Sequence, residues 1–260
     1  MSLGAAVIGS KLYLVGGQNR QSRAIKEGTV LDLATGGVKN IAPMSVARYG
    51  FSLVSFQGCL YAGGGFDGTS CLKLCETYDP VKDQWTRLPE MQQSRTFAGS
   101  TVVGDLICLA GGWSWSPLDS VEVFNTQSGE WVQGIPNMTC KRDGLSCTTL
   151  KDELYILGGE NLEEVSLDTC EKYNFKAKMW TKIKDMKNRR DNFASVTFDS
   201  RILAFGGDRH VFGGRITDVA EAYDEQVQWQ TSKQMMTPRG GHAAVVAEVP
   251  FNLLLRDEDN

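Results

Sequence analysis

Histidine is nearly absent from this 260-residue chain, which holds only His210 and His242. Two are too few for a zinc or copper cage without help, so no metal is expected. The seven cysteines include no C-x-x-C pair; Cys71 and Cys75 stand closest, and metal-ligand spacing is missing elsewhere. An odd count reads as reduced thiols in a core or in loops, which implies a cytoplasmic location. Against that compartment, the sequon Asn137-Met138-Thr139 reads as a chance match. No run approaches the ~20 apolar residues that cross a bilayer. Residues 1–15 are mildly apolar, but they lack a basic start and overlay a pattern found further on, so they read as structure and not as a leader. No ten-residue stretch carries a helical period. Positive charge is not in excess: the net charge is −4 and the pI about 5.3, which implies no general affinity for nucleic acid or anionic membrane.

What is present is a period. Residues 60–91 read LYAGGGFDGTSCLKLCETYDPVKDQWTRLPEM, and their landmarks return along the chain. The diglycines are Gly16-Gly17, Gly64-Gly65, Gly111-Gly112, Gly158-Gly159 and Gly206-Gly207. Each is followed by an aromatic, Tyr78, Phe124, Tyr173 or Tyr223, with Leu31 in the first copy. A tryptophan comes next, Trp85, Trp131, Trp180 or Trp229, with Val38 in the first copy. Met44, Met91, Met138, Met186 and Met235 end the copies, and Arg48, Arg95, Arg142, Arg190 and Arg239 recur at steps of 47, 47, 48 and 49 residues.

Each copy reads as four short strands. In the third, 97–103 and 106–110 flank a tight Gly104-Asp105 turn, 118–124 alternates, and 130–133 follows a turn at 125–129. Four strands per 47–49 residues, repeated, is the pattern of a β-propeller blade. The diglycine permits close backbone approach where the second strand ends. The Tyr and Trp suit the wedge between blades. The recurring Glu76, Glu122, Glu171 and Glu221, one per blade, read as satisfied strand carboxylates and not as an acid–base pair. The stretch 63–68 matches G-x-G-x-x-G, but a dinucleotide fingerprint needs a helix after it, and the register demands a strand. Neither a P-loop nor G-x-S-x-G occurs, so no cofactor is expected and no enzyme is implied.

The diglycine, Tyr, Trp and spacing together resemble kelch repeats over about residues 4–246. The expected fold is all-β: a kelch propeller of four-stranded antiparallel blades, in one domain despite its length. The repeats fall at about 1–44, 45–91, 92–138, 139–186 and 187–235, a partial one at 236–248, and a tail at 249–260. Residues 242–247 read as a surplus first strand. In the adaptors this resembles, such a strand completes a blade begun near the domain's start, so an incomplete six-bladed ring is expected; closure at five blades is the alternative. The exposed edge invites self-association.

The loops after the second strands and the entries to the first strands open on one face. That face collects Arg48, Tyr49, Arg95, Arg142, Arg190 and Arg239, and the loop residues Phe66, Trp113, Trp115, Arg209, His210 and Phe212, which form the candidate partner-binding set. The arginines read equally as internal braces of the ring. By resemblance the chain is the substrate-binding half of a BTB–kelch adaptor for cullin-type ubiquitin ligases, the BTB and helical parts lying outside it. Its partner would be a protein or a short acidic or phosphorylated peptide, drawn by the arginines and by Arg20, Arg23 and Arg215. An actin-associated kelch scaffold and an epimerase-type enzyme are the alternatives.

Overall fold

The computed structural model describes residues 2–209 and 215–248. Period-2 burial turns each copy into one antiparallel sheet. Blade 1 holds β1 (Gly4–Ile8), β2 (Lys11–Val15), β3 (Gly28–Asp32) and β4 (Val38–Ile41). Blade 2 holds β5 (Ser52–Phe56), β6 (Cys59–Gly63), β7 (Cys75–Asp79) and β8 (Gln84–Leu88). Blade 3 holds β9 (Gly99–Val103), β10 (Leu106–Ala110), β11 (Val121–Asn125) and β12 (Glu130–Val132). Blade 4 holds β13 (Ser146–Leu150), β14 (Glu153–Leu157), β15 (Cys170–Asn174) and β16 (Met179–Ile183). Blade 5 starts with β17 (Ala194–Phe198) and β18 (Arg201–Phe205); a two-residue pair follows in a loop, β19 (Asp208–Arg209) with β20 (Arg215–Ile216); β21 (Ala220–Asp224) and β22 (Gln228–Thr231) complete it. The innermost strands pack side by side in order, β1 on β5, β5 on β9, β9 on β13 and β13 on β17. This is a β-propeller of five four-stranded blades.

The landmarks hold it together. Tyr78 pairs across the ladder with Trp85, Phe124 with Trp131, Tyr173 with Trp180 and Tyr223 with Trp229. Each indole then reaches back into the preceding blade: Nε1 of Trp85, Trp131, Trp180 and Trp229 donates to the carbonyls of Ala42, Pro89, Pro136 and Lys184 at 2.9, 3.0, 2.9 and 2.9 Å. The indole thus buries area and satisfies its donor in one contact. The diglycine makes a turn no other residue fits. Gly64 and Gly65 have φ of +68° and +102°, and a Cβ on Gly64 would sit 2.3 Å from the Arg95 carbonyl. The methionine ending each copy packs its Sδ-methyl on that same turn, as Met91 does on Gly64. On the opposite face every third-to-fourth-strand turn is closed by an Asp or Asn accepting backbone N–H groups: Asp32, Asp79, Asn125, Asn174 and Asp224.

At the axis a chain of backbone hydrogen bonds links the blades. Gly50 donates to Ser2, Phe97 to Gly50, Gly144 to Phe97, Asn192 to Gly144 and Gly241 to Asn192, at 2.7–3.1 Å. These are equivalent positions of successive copies, and there are six of them. A Cβ on Gly241 would lie 3.9 Å from Ser2 Oγ, so the sixth returns to the first. The expected strand at 242–247 is not formed; residues 242–248 take no ladder partner among the described residues. A strand needs a neighbour to accept and donate its hydrogen bonds, and among the described residues none pairs with this stretch. The expected tail at 249–260 lies outside the described residues.

Blade 1 is open on the side away from blade 2. Leu60, Ala62 and Tyr78 of blade 2 are buried, as are Ile107, Leu109 and Phe124, Leu154, Ile156 and Tyr173, and Ile202, Ala204 and Tyr223 in the blades that follow. Their blade 1 counterparts Leu12, Leu14 and Leu31 are half-exposed, and Val38, where the others have Trp, is 67% exposed. No packing comparable to that of the other neighbours joins β17 to β1. The cysteines are free thiols. Burial pushes Cys75, Cys108 and Cys170 up to about 12, which keeps them protonated and inert. No helix of the described residues is long and apolar enough to cross a membrane.

Candidate protein-binding face

The face that carries the loops after β2, β6, β10, β14 and β18 also receives the chain entering each blade, and the two are stitched together. The residue after each arginine bridges the residue after each diglycine: Tyr49 with Phe66, Thr96 with Trp113, Asp143 with Glu160 and Asp191 with Asp208. Position and register are constant while the side chains change: two aromatics on blade 2, Thr with Trp on blade 3, and acidic pairs on blades 4 and 5.

Four of the five arginines do not reach this face, which corrects their place in the expected binding set. Arg48, Arg95, Arg142 and Arg190 are 0–1% exposed. In Arg48, one terminal nitrogen donates to the Gly64 and Leu74 carbonyls at 3.0 Å each, and the other to Glu76 Oε2 at 2.7 Å. Arg95, Arg142 and Arg190 repeat the arrangement with Glu122, Glu171 and Glu221 at 2.8, 3.3 and 2.5 Å. Burial is the largest influence on Arg48 and Arg95 and disfavours their charged form; Glu76 and Glu122 oppose it. The glutamates also accept backbone N–H groups just after the methionine, Ser45, Gln92, Thr139 and Lys187. The guanidinium fork suits this task because one planar group serves two carbonyls and a carboxylate. Arg239 differs: it is exposed, and its recorded contacts are through its backbone, to Gly207 and Thr217.

The aromatic residues are where the sequence places them. Tyr49 meets Phe66 edge-on with ring centroids 5.6 Å apart, and Phe97 at 6.3 Å. Tyr49, Phe66 and Trp113 are half-buried. Trp115 is 86% exposed at a φ of +64°. The backbone of Arg209 lies in β19. His210 and Phe212 lie outside the described residues.

Sequence reasoning missed Asp143 and Asp191. Their exposures are 7% and 0%. The signal was available, since each directly follows a series arginine. Burial first, then the Glu160 and Asp191 carboxylates, push Asp143 up to about 7. The folded chain therefore holds this proton up to about pH 7, while the unfolded chain loses it near the ordinary 3.8. Between those values the folded state binds more protons, so this site's contribution to stability is full below 3.8 and is lost as pH rises through about 7. Asp143→Asn is expected to raise the thermal midpoint at about pH 8 and leave it nearly unchanged at about pH 4. An equal effect at both pH values would rule out a titrating Asp143.

Repeating blades, a hydrogen-bonded hub and non-repeating loops on one face define a propeller with a surface for binding. The family model described as Kelch motif matches residues 47–92, 94–138, 141–187 and 189–236. These matches cover more than half of the chain, and the chain belongs to the kelch-repeat family. It is 27% identical over 269 residues to "Kelch-like protein terF" of Aspergillus terreus, covering 93% of this chain and 58% of that protein. It is 25% identical to "Kelch-like protein 23" of Homo sapiens, over 94% of this chain and 43% of that protein. Against "Kelch-like protein 25" of Xenopus tropicalis the identity is 23%, over 85% and 38%. The chain thus spans 58% or less of the length of these relatives. Family and fold make it a protein-interaction module.

Proposed function

We propose that this chain is the substrate-recognition propeller of a cytoplasmic adaptor for cullin-type ubiquitin ligases, and that it holds a short segment of its protein partner on the loop-bearing face. The carrying observation is Trp115. A tryptophan 86% exposed on a non-repeating loop, on the face that also carries the half-buried Tyr49, Phe66 and Trp113, is unexplained by the fold and is the kind of residue that anchors an interface. The adaptor role rests on the resemblance to BTB–kelch proteins. Support for a non-enzymatic role comes from the axis, whose described lining is Gly, Ala, Ser, Leu, Phe and Asn with one titratable residue, His242.

The acidic-ligand expectation rested largely on the arginine series. With four arginines spent inside the blades, that series leaves it only the exposed Arg239, and any such preference falls to that residue and the loops. The ring itself has, on this reading, six places, with a sixth blade fitting between blade 5 and blade 1. The six hub positions and the half-exposed Leu12, Leu14 and Leu31 support this. A crystal structure with β17 packed directly on β1 would overturn it.

The binding face is tested by Trp115→Ala. Truncating an exposed side chain should change stability by no more than about 0.5 kcal/mol. Partners captured from lysate by the parent chain should be lost by the variant, and hydrogen exchange in the complex should slow at 65–72 and 112–118. Protection at the opposite turns around Asp79 and Asn125 would place the interface on the wrong side.

A further inference from the structure

Three of the loops on this face open on an Asn or Asp cap. In the first, Asn19 Oδ1 accepts the N–H groups of Gln21 and Arg23 at 2.9 and 3.0 Å. In the second, Asp67 does so for Thr69 and Ser70 at 2.7 and 2.8 Å. In the fourth, Asn161 does so for Glu163 and Glu164 at 2.9 and 2.6 Å. Each cap stands two residues after its diglycine, and the first turn is one residue longer than the other two. Where the first loop shows Arg20 and Arg23, the fourth shows Leu162 and Val165, with Glu163 and Glu164 between them. All six side chains are exposed.

The free charges differ in sign. Arg20 and Arg23 are in no ion pair among the described residues. Arg189 takes up Glu164, while exposed Glu163 is in no ion pair among the described residues. The hub positions of blades 1 and 4, Ser2 and Gly144, are three steps apart in a series of six, so these two loops stand on opposite sides of the axis. Between them lie blades 2 and 3, with the Tyr49–Phe66 pair and Trp115. The face therefore runs from cationic through aromatic to anionic.

We propose that this face reads its peptide by charge order: an acidic or phosphorylated residue against Arg20 and Arg23, a large apolar residue on Tyr49, Phe66 and Trp115, and a basic residue against Glu163. This rests on the proposed function and deepens it. Complementary charges at the two ends fix the direction of the segment and steer its approach, while the aromatic middle supplies the buried area. Guanidinium forks suit carboxylate or phosphate at the first loop. An extended segment advances about 3.3 Å per residue, so the three recognised residues need not be adjacent in the ligand.

The probe is a pair of peptide libraries with a fixed Trp or Phe flanked by Glu and Lys, one in each order, at several spacings. One order is expected to bind about tenfold tighter than its reverse at low salt, and the difference should shrink as salt is added. Arg20→Glu with Arg23→Glu should weaken the preferred order, and Glu163→Lys added to that pair should invert the preference. Equal binding of both orders, or no binding of either, overturns the charge-order reading. If Trp115→Ala abolishes binding while the charge reversals leave the preference unchanged, the proposed face survives and the charge order falls. If Trp115→Ala leaves peptide affinity unchanged, both fall.

Discussion

Arg48→Ala is expected to cost the fold about 3–5 kcal/mol, the range for removing one end of a buried ion pair. Both side chains of the pair are 0–1% exposed, so the Glu76 carboxylate would be left without its cation in a place water does not reach. The Gly64 and Leu74 carbonyls would lose a donor at the same time. Those carbonyls bracket the loop between β6 and β7, so the damage spreads from the blade interior to the binding face. Arg48→Lys should fail almost as badly, because a single ammonium cannot reproduce the fork that serves two carbonyls and a carboxylate. The chain contains its own control: Arg239 holds the same repeat position but is exposed, and Arg239→Ala should change stability by no more than about 0.5 kcal/mol. Denaturant midpoints for the variants decide the matter. A small loss in Arg48→Ala would mean that the arginines are dispensable to the ring.

The recurrence of these arginines was legible in the sequence; their direction was not. Spacing shows that a residue returns in the same environment, but not whether a long side chain turns inward or outward from the end of a strand. The better signal was the companion series. Glu76, Glu122, Glu171 and Glu221 follow their arginines at 28, 27, 29 and 31 residues. Blade 1 carries Thr29 where the others have Glu. Opposite charges that recur at a near-constant separation are partners, and that could have been read without coordinates. The blade pattern was legible because diglycine turns and paired aromatics are local demands of the backbone and the wedge. The missing ladder at 242–247 was not, because a strand depends on a neighbour as well as on its own alternation. The axis was legible only in part: its backbone-bonded positions are all left-handed, which Gly50, Gly144, Gly241 and Asn192 suit, while Ser2 and Phe97 break the pattern. The caps at Asn19, Asp67 and Asn161 recur in three loops that otherwise share little, and only the constant distance from the diglycine betrays them.

Trp229→Ala should destabilise the chain by about 3–5 kcal/mol, and by roughly 2 kcal/mol more than Trp113→Ala. Trp229 is 4% exposed, while Trp85, Trp131 and Trp180, at the same repeat position, are half-buried. It stacks at a tilt on Tyr223 with centroids 5.2 Å apart, and its Nε1 donates to the Lys184 carbonyl in blade 4 at 2.9 Å. Trp113 is half-buried on a loop and bridges to Thr96 and Pro117 through its backbone, which truncation leaves in place. Blade 5 has more at stake than the blades between two neighbours because, among the described residues, blade 4 is its only packed neighbour blade. The rest of the join is an apolar cluster of Tyr155 and Leu157 with Ile202, Ala204 and Tyr223, the hydroxyl pairs Ser146–Ser195 and Thr148–Thr197, and a half-exposed polar tie in which Glu225 accepts from Lys172 at 3.1 Å, from Tyr155 at 2.9 Å and from Lys151 at 2.5 Å. Exposed ion pairs of this kind contribute little, so the join rests on the buried cluster, in which the indole is the largest side chain. Removing it should therefore let blade 5 open ahead of the rest, seen as faster hydrogen exchange in β17, β18, β21 and β22 than in β5–β16. Trp229→Phe separates area from hydrogen bonding: it keeps most of the ring surface and should lose about 1 kcal/mol for the missing donor. If Trp229→Ala and Trp113→Ala cost the same, the loop tryptophan is core as well and the blade 4–blade 5 join is not the weak seam of the ring.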